Sequence, residues 1–167
     1  MTPNTFLIST RRALLASALA AVVVGCATGP TPSNLADTIA NTPSLSTLHK
    51  LVIQAGLSDT LKTGGPFTVF APSNDAFKAV PAATLSDLAQ NPQKLKDVLN
   101  FHIIPAKLVA ADVKNTDVKT LHGANAAIAK AGDFVTVENA AVTQADIVAT
   151  NGVVHVIDTV MMPPVKK

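Results

Sequence analysis

Apolar residues in the first half of the chain recur every three or four positions, which is the period of an α-helix. Six short helices are therefore predicted, over residues 34–40, 44–55, 57–63, 73–80, 81–91 and 91–102. Four side chains stand where a helix N-cap is expected, namely Asn34, Ser44, Ser73 and Asn91. This half is thus expected to be helical, apart from one apolar run at residues 67–70.

The second half changes to short apolar runs separated by turn residues, which is typical of β-strands. Including the earlier run, strands are predicted over residues 67–70, 118–121, 126–129, 135–137, 141–143, 147–149 and 153–157. Turns are predicted at Gly132-Asp133 and at Asn151-Gly152. Residues 153–157 are apolar on both faces and should form a central buried strand. Helices followed by strands indicate an α+β fold with a largely antiparallel sheet system.

One ten-residue segment, residues 68–77, combines a strand, a stop and a helix start. Pro72 ends the strand because it has no amide hydrogen for the next ladder bond. Ser73 then caps a helix whose first turn contains Asp75, where the helix dipole favours an anion. The rest of the domain is expected to pack around this segment.

Residues 1–25 are typical of an export signal. Arg11 and Arg12 precede an apolar run that ends at Val24, which is short for a bilayer core of about 30 Å. The paired arginines fit a simple basic n-region as well as twin-arginine export. Both routes would carry the chain out of the cytoplasm.

The single cysteine of the chain, Cys26, follows residues 23–25 in a pattern typical of a bacterial lipobox. Lipid is predicted on Cys26 after cleavage behind Gly25, and a plain secretory signal with a free cysteine is the alternative. An Asp directly after the lipidated cysteine would indicate retention in the inner membrane. Position 27 is Ala instead, so the outer membrane is the predicted location in a cell that has one.

The predicted domain boundaries follow from this signal. Residues 26–33 form the lipidated cysteine and a proline-containing tether. Residues 34–164 form one domain, since the chain shows no internal repeat, and residues 165–167 form a short tail.

Charge and chemistry exclude several classes of function. The net charge of +2 disappears once Arg11 and Arg12 leave with the signal, and the chain contains no Tyr or Trp. Without a basic field or stacking side chains, nucleic-acid binding is not expected. No metal-ligand spacing, nucleophile elbow or phosphate loop is present, so neither an enzyme nor a cofactor or metal site is predicted.

Three segments together resemble the signatures of the fasciclin domain. Residues 68–77 resemble the first signature and residues 151–163 the second, while residues 99–105 resemble the central Tyr-His segment with Phe101 in place of Tyr. The resemblance covers residues 33–163. It implies an α+β fold of two small, mainly antiparallel sheets wedged together, with several short helices along one edge.

The resemblance also implies candidate partner-binding residues. In animal matrix members of this family the Tyr-His segment and a downstream Asp-Ile pair are implicated in adhesion, and Phe101-His102 and Asp146-Ile147 occupy these positions. The alternative interpretation places His102 on the apolar face of a helix as a core histidine, Asp146 in a turn and Ile147 in the core. His155, between two valines, is likewise interpreted as a core histidine bonded to backbone.

These observations predict a non-enzymatic, lipid-anchored adhesion or interaction module at the bacterial surface or in the periplasm. Its partners would be the membrane, through Cys26, and an unidentified protein or glycan. The alternative is a binding protein for a small apolar ligand or lipid, with a pocket lined by such side chains as Phe101, Phe134, Met161 or Met162. A pocket larger than a few hundred Å³ would favour the alternative, and a filled core with an exposed patch near Asp146 would favour the first function.

Overall fold

The structure, a computed structural model, describes residues 33–132 and 134–164. The predicted export signal, Cys26, nearly all of the tether, Asp133 and the tail lie outside the described residues. The helices are α1 (Leu35–Asn41), α2 (Ser46–Gln54), α3 (Ser58–Thr63), α4 (Asn74–Ala79), α5 (Ala82–Gln90) and α6 (Pro92–Phe101), with a 3-10 turn at Pro43–Leu45. Each predicted helix is present, with ends shifted by one or two residues.

In the described part of the chain, seven strands pair in the spatial order β2-β1-β7-β6-β5-β4-β3. They are β1 (Phe67–Pro72), β2 (Ile103–Ile104), β3 (Thr116–Lys119), β4 (Asn125–Ala131), β5 (Phe134–Val137), β6 (Ala140–Ala149) and β7 (Gly152–Ile157). Five of the six pairings are antiparallel, and β1 and β7 pair in parallel. The predicted α+β fold with a mainly antiparallel sheet system is confirmed. β7 is buried along its whole length between β1 and β6, also as predicted.

Strand β6 joins the two halves of the sheet system. Ala140 and Ala141 pair with β5, whereas positions from Val142 to Ala149 pair with β7. The register on β7 shifts twice, between Val142 and Gln144 and between Gln144 and Ile147. Two separate strands were predicted here, and this prediction was wrong because the interruption is a bulge within one strand. Bulges bend a strand and increase its twist, so β6 can serve both halves.

The side chains of β1 point alternately into two cores. Val69 and Ala71 pack with the helices, in a cluster to which every helix contributes a buried residue. Phe70 faces the other way and packs with β4 and β5 residues such as Ile128 and Val137. The strand–stop–helix segment therefore lies between both cores, as its sequence predicted.

Two of the predicted helix caps form as expected. The Asn34 side chain accepts a hydrogen bond from the amide of Asp37 at 3.0 Å. The Ser73 hydroxyl accepts from the amide of Ala76 at 3.1 Å. Each bond satisfies an amide that has no partner within its own helix, which typically contributes about 1 kcal/mol.

The prediction for Ser44 was wrong, and the prediction for Asn91 is confirmed in its position but not in its capping hydrogen bond. Ser44 lies inside the 3-10 turn, and the start of α2 is capped from a distance by Asn74, whose Oδ1 accepts from the amide of Thr47 at 3.0 Å. Asn91 occupies the N-cap position of α6, but its side-chain amide donates to the Asp87 carbonyl instead of capping. A cap supplied from another helix leaves no local sequence signal.

The β6–β7 hairpin is confirmed, but its turn lies one residue earlier than predicted. Ala149 pairs with Gly152, so Thr150 and Asn151 form the turn and Gly152 belongs to β7. The Asn151 side chain makes three hydrogen bonds, which we call the Asn151 hub. Its Oδ1 accepts from the Leu35 amide at 2.9 Å, and its Nδ2 donates to the carbonyls of Leu61 and Gly64 at 2.8 and 2.6 Å. One side chain thus ties α1 and the approach to β1 to the hairpin.

Candidate functional site

His102 is a core histidine. It is 2% exposed, its Nδ1 donates to the Val98 carbonyl at 2.8 Å, and its Nε2 accepts from the Met161 amide at 3.1 Å. Both bonds are satisfied by a neutral ring with its proton on Nδ1. Burial lowers the pKa of His102 to about 4, against the smaller opposing effect of the Val98 hydrogen bond. The core interpretation of His102 is confirmed.

Phe101 is buried beside it, also 2% exposed, and meets His122 edge-on with ring centroids 6.0 Å apart. Neither Phe101 nor His102 presents a side chain to a partner in this arrangement. Their predicted role in partner binding stays a prediction, and it would have to act through the surface that these two residues support.

Asp146 lies on the surface, in the bulge of β6, with a positive φ of 57°. Its Oδ1 accepts from the Ala110 amide at 2.8 Å, and its own amide donates to Nδ1 of His155 at 3.2 Å. A positive φ is uncommon outside glycine, although Asp and Asn tolerate it better than most residues. The carboxylate therefore has a fixed position on the surface.

His155 connects this bulge to the interior. It is 1% exposed, its Nε2 donates to the Leu108 carbonyl at 2.8 Å, and its ring stacks on Phe70 at a centroid distance of 5.4 Å. The two hydrogen bonds require the neutral tautomer with its proton on Nε2. Thr68 holds the same loop, donating to the Ala106 carbonyl at 2.6 Å. The predicted core role of His155 is confirmed, and its contact with Asp146 is one that the sequence did not indicate.

Ile147 is half-buried and packs against the helical core, which is the alternative predicted for it. Its neighbour Val148 is 64% exposed, and residues 143–146 are exposed as well. We call residues 143–146 and 148 the β6 surface. It is an exposed patch that contains Asp146, as the interaction function requires.

A second feature is an open groove of about 340 Å³ between α5, α6 and the segment after β7. Its lining includes Leu88, Asp97, Val98, His122 and Met162. We call it the α5–α6 groove. A neighbouring depression of about 360 Å³ shares Thr84 and Met162 with it. Sequence reasoning missed this site because its residues come from distant parts of the chain.

Of the side chains predicted to line an apolar pocket, one lies at this groove. Met162 is 45% exposed there. Phe101 and Met161 are buried in the second core, and Phe134 is 77% exposed on β5. The predicted lining is therefore corrected to Met162 together with residues of α5 and α6.

Within residues 33–132 and 134–164, no three His, Cys, Asp or Glu side chains are grouped closely enough to hold a metal ion. Among the helices of the same residues, none has the length and apolar character needed to cross a bilayer. The prediction of lipid on Cys26 falls on a residue outside the described part of the chain.

The sequence profile of the Fasciclin domain matches residues 43–163. The chain is 40% identical over 144 residues to Protein sll1483 of Synechocystis, covering 85% of this chain and 80% of that protein. It is 37% identical over 145 residues to the cell surface glycolipoprotein MPB83 of Mycobacterium bovis, covering 84% of this chain and 65% of that protein.

Among solved structures, the chain is similar to a FAS1 domain pair from the insect cell adhesion molecule Fasciclin I. The TM-score is 0.62 at 17% sequence identity, over 78% of this chain and 51% of that one. At this identity the similarity concerns the fold. The chain thus spans about half of the insect pair and just under two thirds of the mycobacterial glycolipoprotein.

Proposed function

The chain belongs to the fasciclin family, and from this premise we propose that it is a non-enzymatic interaction module held in the cell envelope by lipid on Cys26. Relatives of this chain include a cell-surface glycolipoprotein, and its structural neighbours include an adhesion molecule. Interaction by contact suits a domain that has two packed cores and an exposed stretch of β6.

The observation that carries this proposal is the fixed carboxylate of Asp146 on the β6 surface. Its backbone is held by His155 and its Oδ1 by the Ala110 amide, so a partner meets it without ordering a loop first. A side chain fixed before binding costs less conformational entropy on association. Val148 adds exposed apolar area two residues away. Phe101 and His102 contribute by supporting the core beneath, through the bond from the Phe70 amide to the His102 carbonyl.

Replacing Asp146 with Asn should weaken capture of the partner about fivefold. This corresponds to a loss of about 1 kcal/mol of binding free energy. Asn keeps an acceptor for the Ala110 amide and tolerates a positive φ, so the change removes the charge and leaves the bulge intact. The measurement is quantitative crosslinking and pull-down from intact cells.

Asp158 offers a matched control. It is exposed, and its Oδ1 likewise holds a backbone amide, that of Ala141, at 2.9 Å. Asp158→Asn should capture the partner as well as the wild type does. If Asp146→Asn also captured the partner as well as the wild type does, Asp146 would not belong to the binding surface.

The lipid anchor is tested separately. In cells fed an alkyne-labelled palmitate, the wild-type chain should carry the label. The Cys26→Ser variant should stay unlabelled, because the chain has no other cysteine. Ala27→Ser, at the next residue, should label normally. Persistent label on Cys26→Ser would contradict lipidation at this position.

The α5–α6 groove favours a second candidate function, the binding of a small molecule with an apolar body. Its volume of about 340 Å³ lies in the range of small-molecule sites. This groove and the β6 surface involve different residues, so the two functions can be tested independently.

A further inference from the structure

The α5–α6 groove has an apolar floor. Leu88 and Val98 are buried beneath it, and Met162 and Pro163 form the side contributed by the segment after β7. An aliphatic or aromatic body laid on these side chains would remove apolar surface from water, which is favourable. A Met thioether also makes favourable contacts with aromatic rings.

The charges around the groove are unbalanced. Asp87, Lys94 and Asp97 all line it, and Lys94 is committed to Asp87, with Nζ 2.8 Å from Oδ2. That ion pair lowers the pKa of Asp87, chiefly through the hydrogen bond from Lys94. Asp97 forms no ion pair with any described residue and has a single long contact, from Gln93 Nε2 at 3.4 Å. The groove therefore carries one half-buried carboxylate without a cation.

A second polar group of the groove is also unsatisfied. Nδ1 of His122 is buried and has no hydrogen-bond partner among residues 33–132 and 134–164. Two contacts hold His122 in place. Its ring meets Phe101 edge-on, and its backbone amide donates to the Asn100 carbonyl at 3.2 Å. A buried polar atom without a hydrogen-bond partner is unfavourable.

We propose that the α5–α6 groove binds a small organic ammonium ion with an apolar body. The ammonium group lies against Asp97, and the body covers Leu88, Val98 and Met162. This inference rests on the second candidate function and specifies its ligand class. An apolar anion is disfavoured, because Lys94 is already neutralised and the remaining charge is negative.

The chain carries a convenient reporter for this site. It has three methionines, of which Met161 is 1% exposed and Met162 is 45% exposed. In the full chain labelled with ¹³C-methyl methionine, Met162 should report on the groove and Met161 on the core, with Met162→Leu assigning the signal. The probes are 2-phenylethylamine, 2-phenylethanol and 3-phenylpropanoate, which share an apolar body and differ in charge.

At pH 7 the amine should shift the Met162 signal until the shift saturates. Its half-saturating concentration should be about three- to fivefold lower than that of the alcohol, as expected for one partly exposed ion pair. 3-Phenylpropanoate should bind most weakly. Asp97→Asn should remove the advantage of the amine over the alcohol, whereas Asp59→Asn, an exposed aspartate on α3, should preserve it.

Each other outcome overturns part of the proposal. A Met162 signal unmoved by all three probes would mean that the groove is not a binding site. Equal saturation by the three probes would overturn the ammonium class. An amine advantage that survives in Asp97→Asn would overturn the role of Asp97. None of these results bears on capture through the β6 surface, so this inference and the interaction function fail separately.

Discussion

Between pH 7 and pH 4 the domain should lose about 3 kcal/mol of its unfolding free energy through His102 alone. The pKa of this ring is lowered from 6.5 to about 4 by burial. In the unfolded chain the same ring takes up a proton near pH 6.5, so between these two values the unfolded state binds more protons. The contribution of His102 to the unfolding free energy is therefore fully present above pH 6.5 and falls as the pH drops towards 4. A shift of one pKa unit corresponds to about 1.4 kcal/mol.

The measurement is urea unfolding at pH 7.5 and pH 4.0 for the wild type and for His102→Gln. The variant should start less stable, because it disturbs the bonds to Val98 and Met161, and should lose about 3 kcal/mol less on acidification. Asp87, whose pKa is lowered from 3.8 chiefly by the hydrogen bond from Lys94, is present in both proteins, so its contribution cancels in the difference between them.

His49 provides the control, since it is a half-buried histidine on α2. His49→Gln is unfolded at the same two pH values, so that the effect of removing any histidine is separated from the effect of removing His102. If His102→Gln lost as much as the wild type, the acid sensitivity would have another source, and the buried neutral state of His102 would be wrong.

Gly152→Ala should destabilise the domain by about 3 kcal/mol, at the upper end of overpacking effects. Gly152 pairs with Phe67 across the parallel β1–β7 ladder. A Cβ at this position would collide with the Phe67 carbonyl oxygen and stand 2.9 Å from Cδ1 of Leu35. The oxygen is part of the backbone and cannot rotate away, so the two strands must separate at this end. The loss would extend to the Asn151 hub, which lies at the same place.

Thermal unfolding gives the measurement, and about 3 kcal/mol corresponds to a fall in Tm of roughly 10 °C for a domain of this size. Gly132→Asn is the control. Gly132 has a φ of +63°, which Asn tolerates, and a Cβ there meets no atom within 4 Å. The control should change Tm by no more than about 2 °C. A similarly small change in Gly152→Ala would show that β1 and β7 are not held so closely.

Local sequence was sufficient where the deciding interactions are local. Ser73 caps α4 through an amide three residues away, and Asn34 does the same for α1. The apolar run at residues 153–157 predicted a central strand, and the period of α6 placed His102 on the apolar face of that helix. The three signature segments also identified the family, which the profile match over residues 43–163 confirms.

The sequence failed where a contact joins distant residues. Asn74 caps α2 from 27 residues away, and the turn at Thr150-Asn151 is displaced because Gly152 is needed where β7 passes β1. The bulge that merges two predicted strands into β6 places Asp146 where its amide can reach His155. Periodicity contains no information about such pairs, because it describes one element at a time.

For the candidate site the division is the same. The sequence by itself determined an α+β fasciclin domain, the core histidine His155 and the candidate residue Asp146. Only the tertiary structure decided that Phe101 and His102 lie inside, that Asp146 is fixed at the surface, and that a groove forms between α5, α6 and the segment after β7. The physical reason is that exposure and cavities are properties of packed surfaces, which exist once elements far apart in the chain meet.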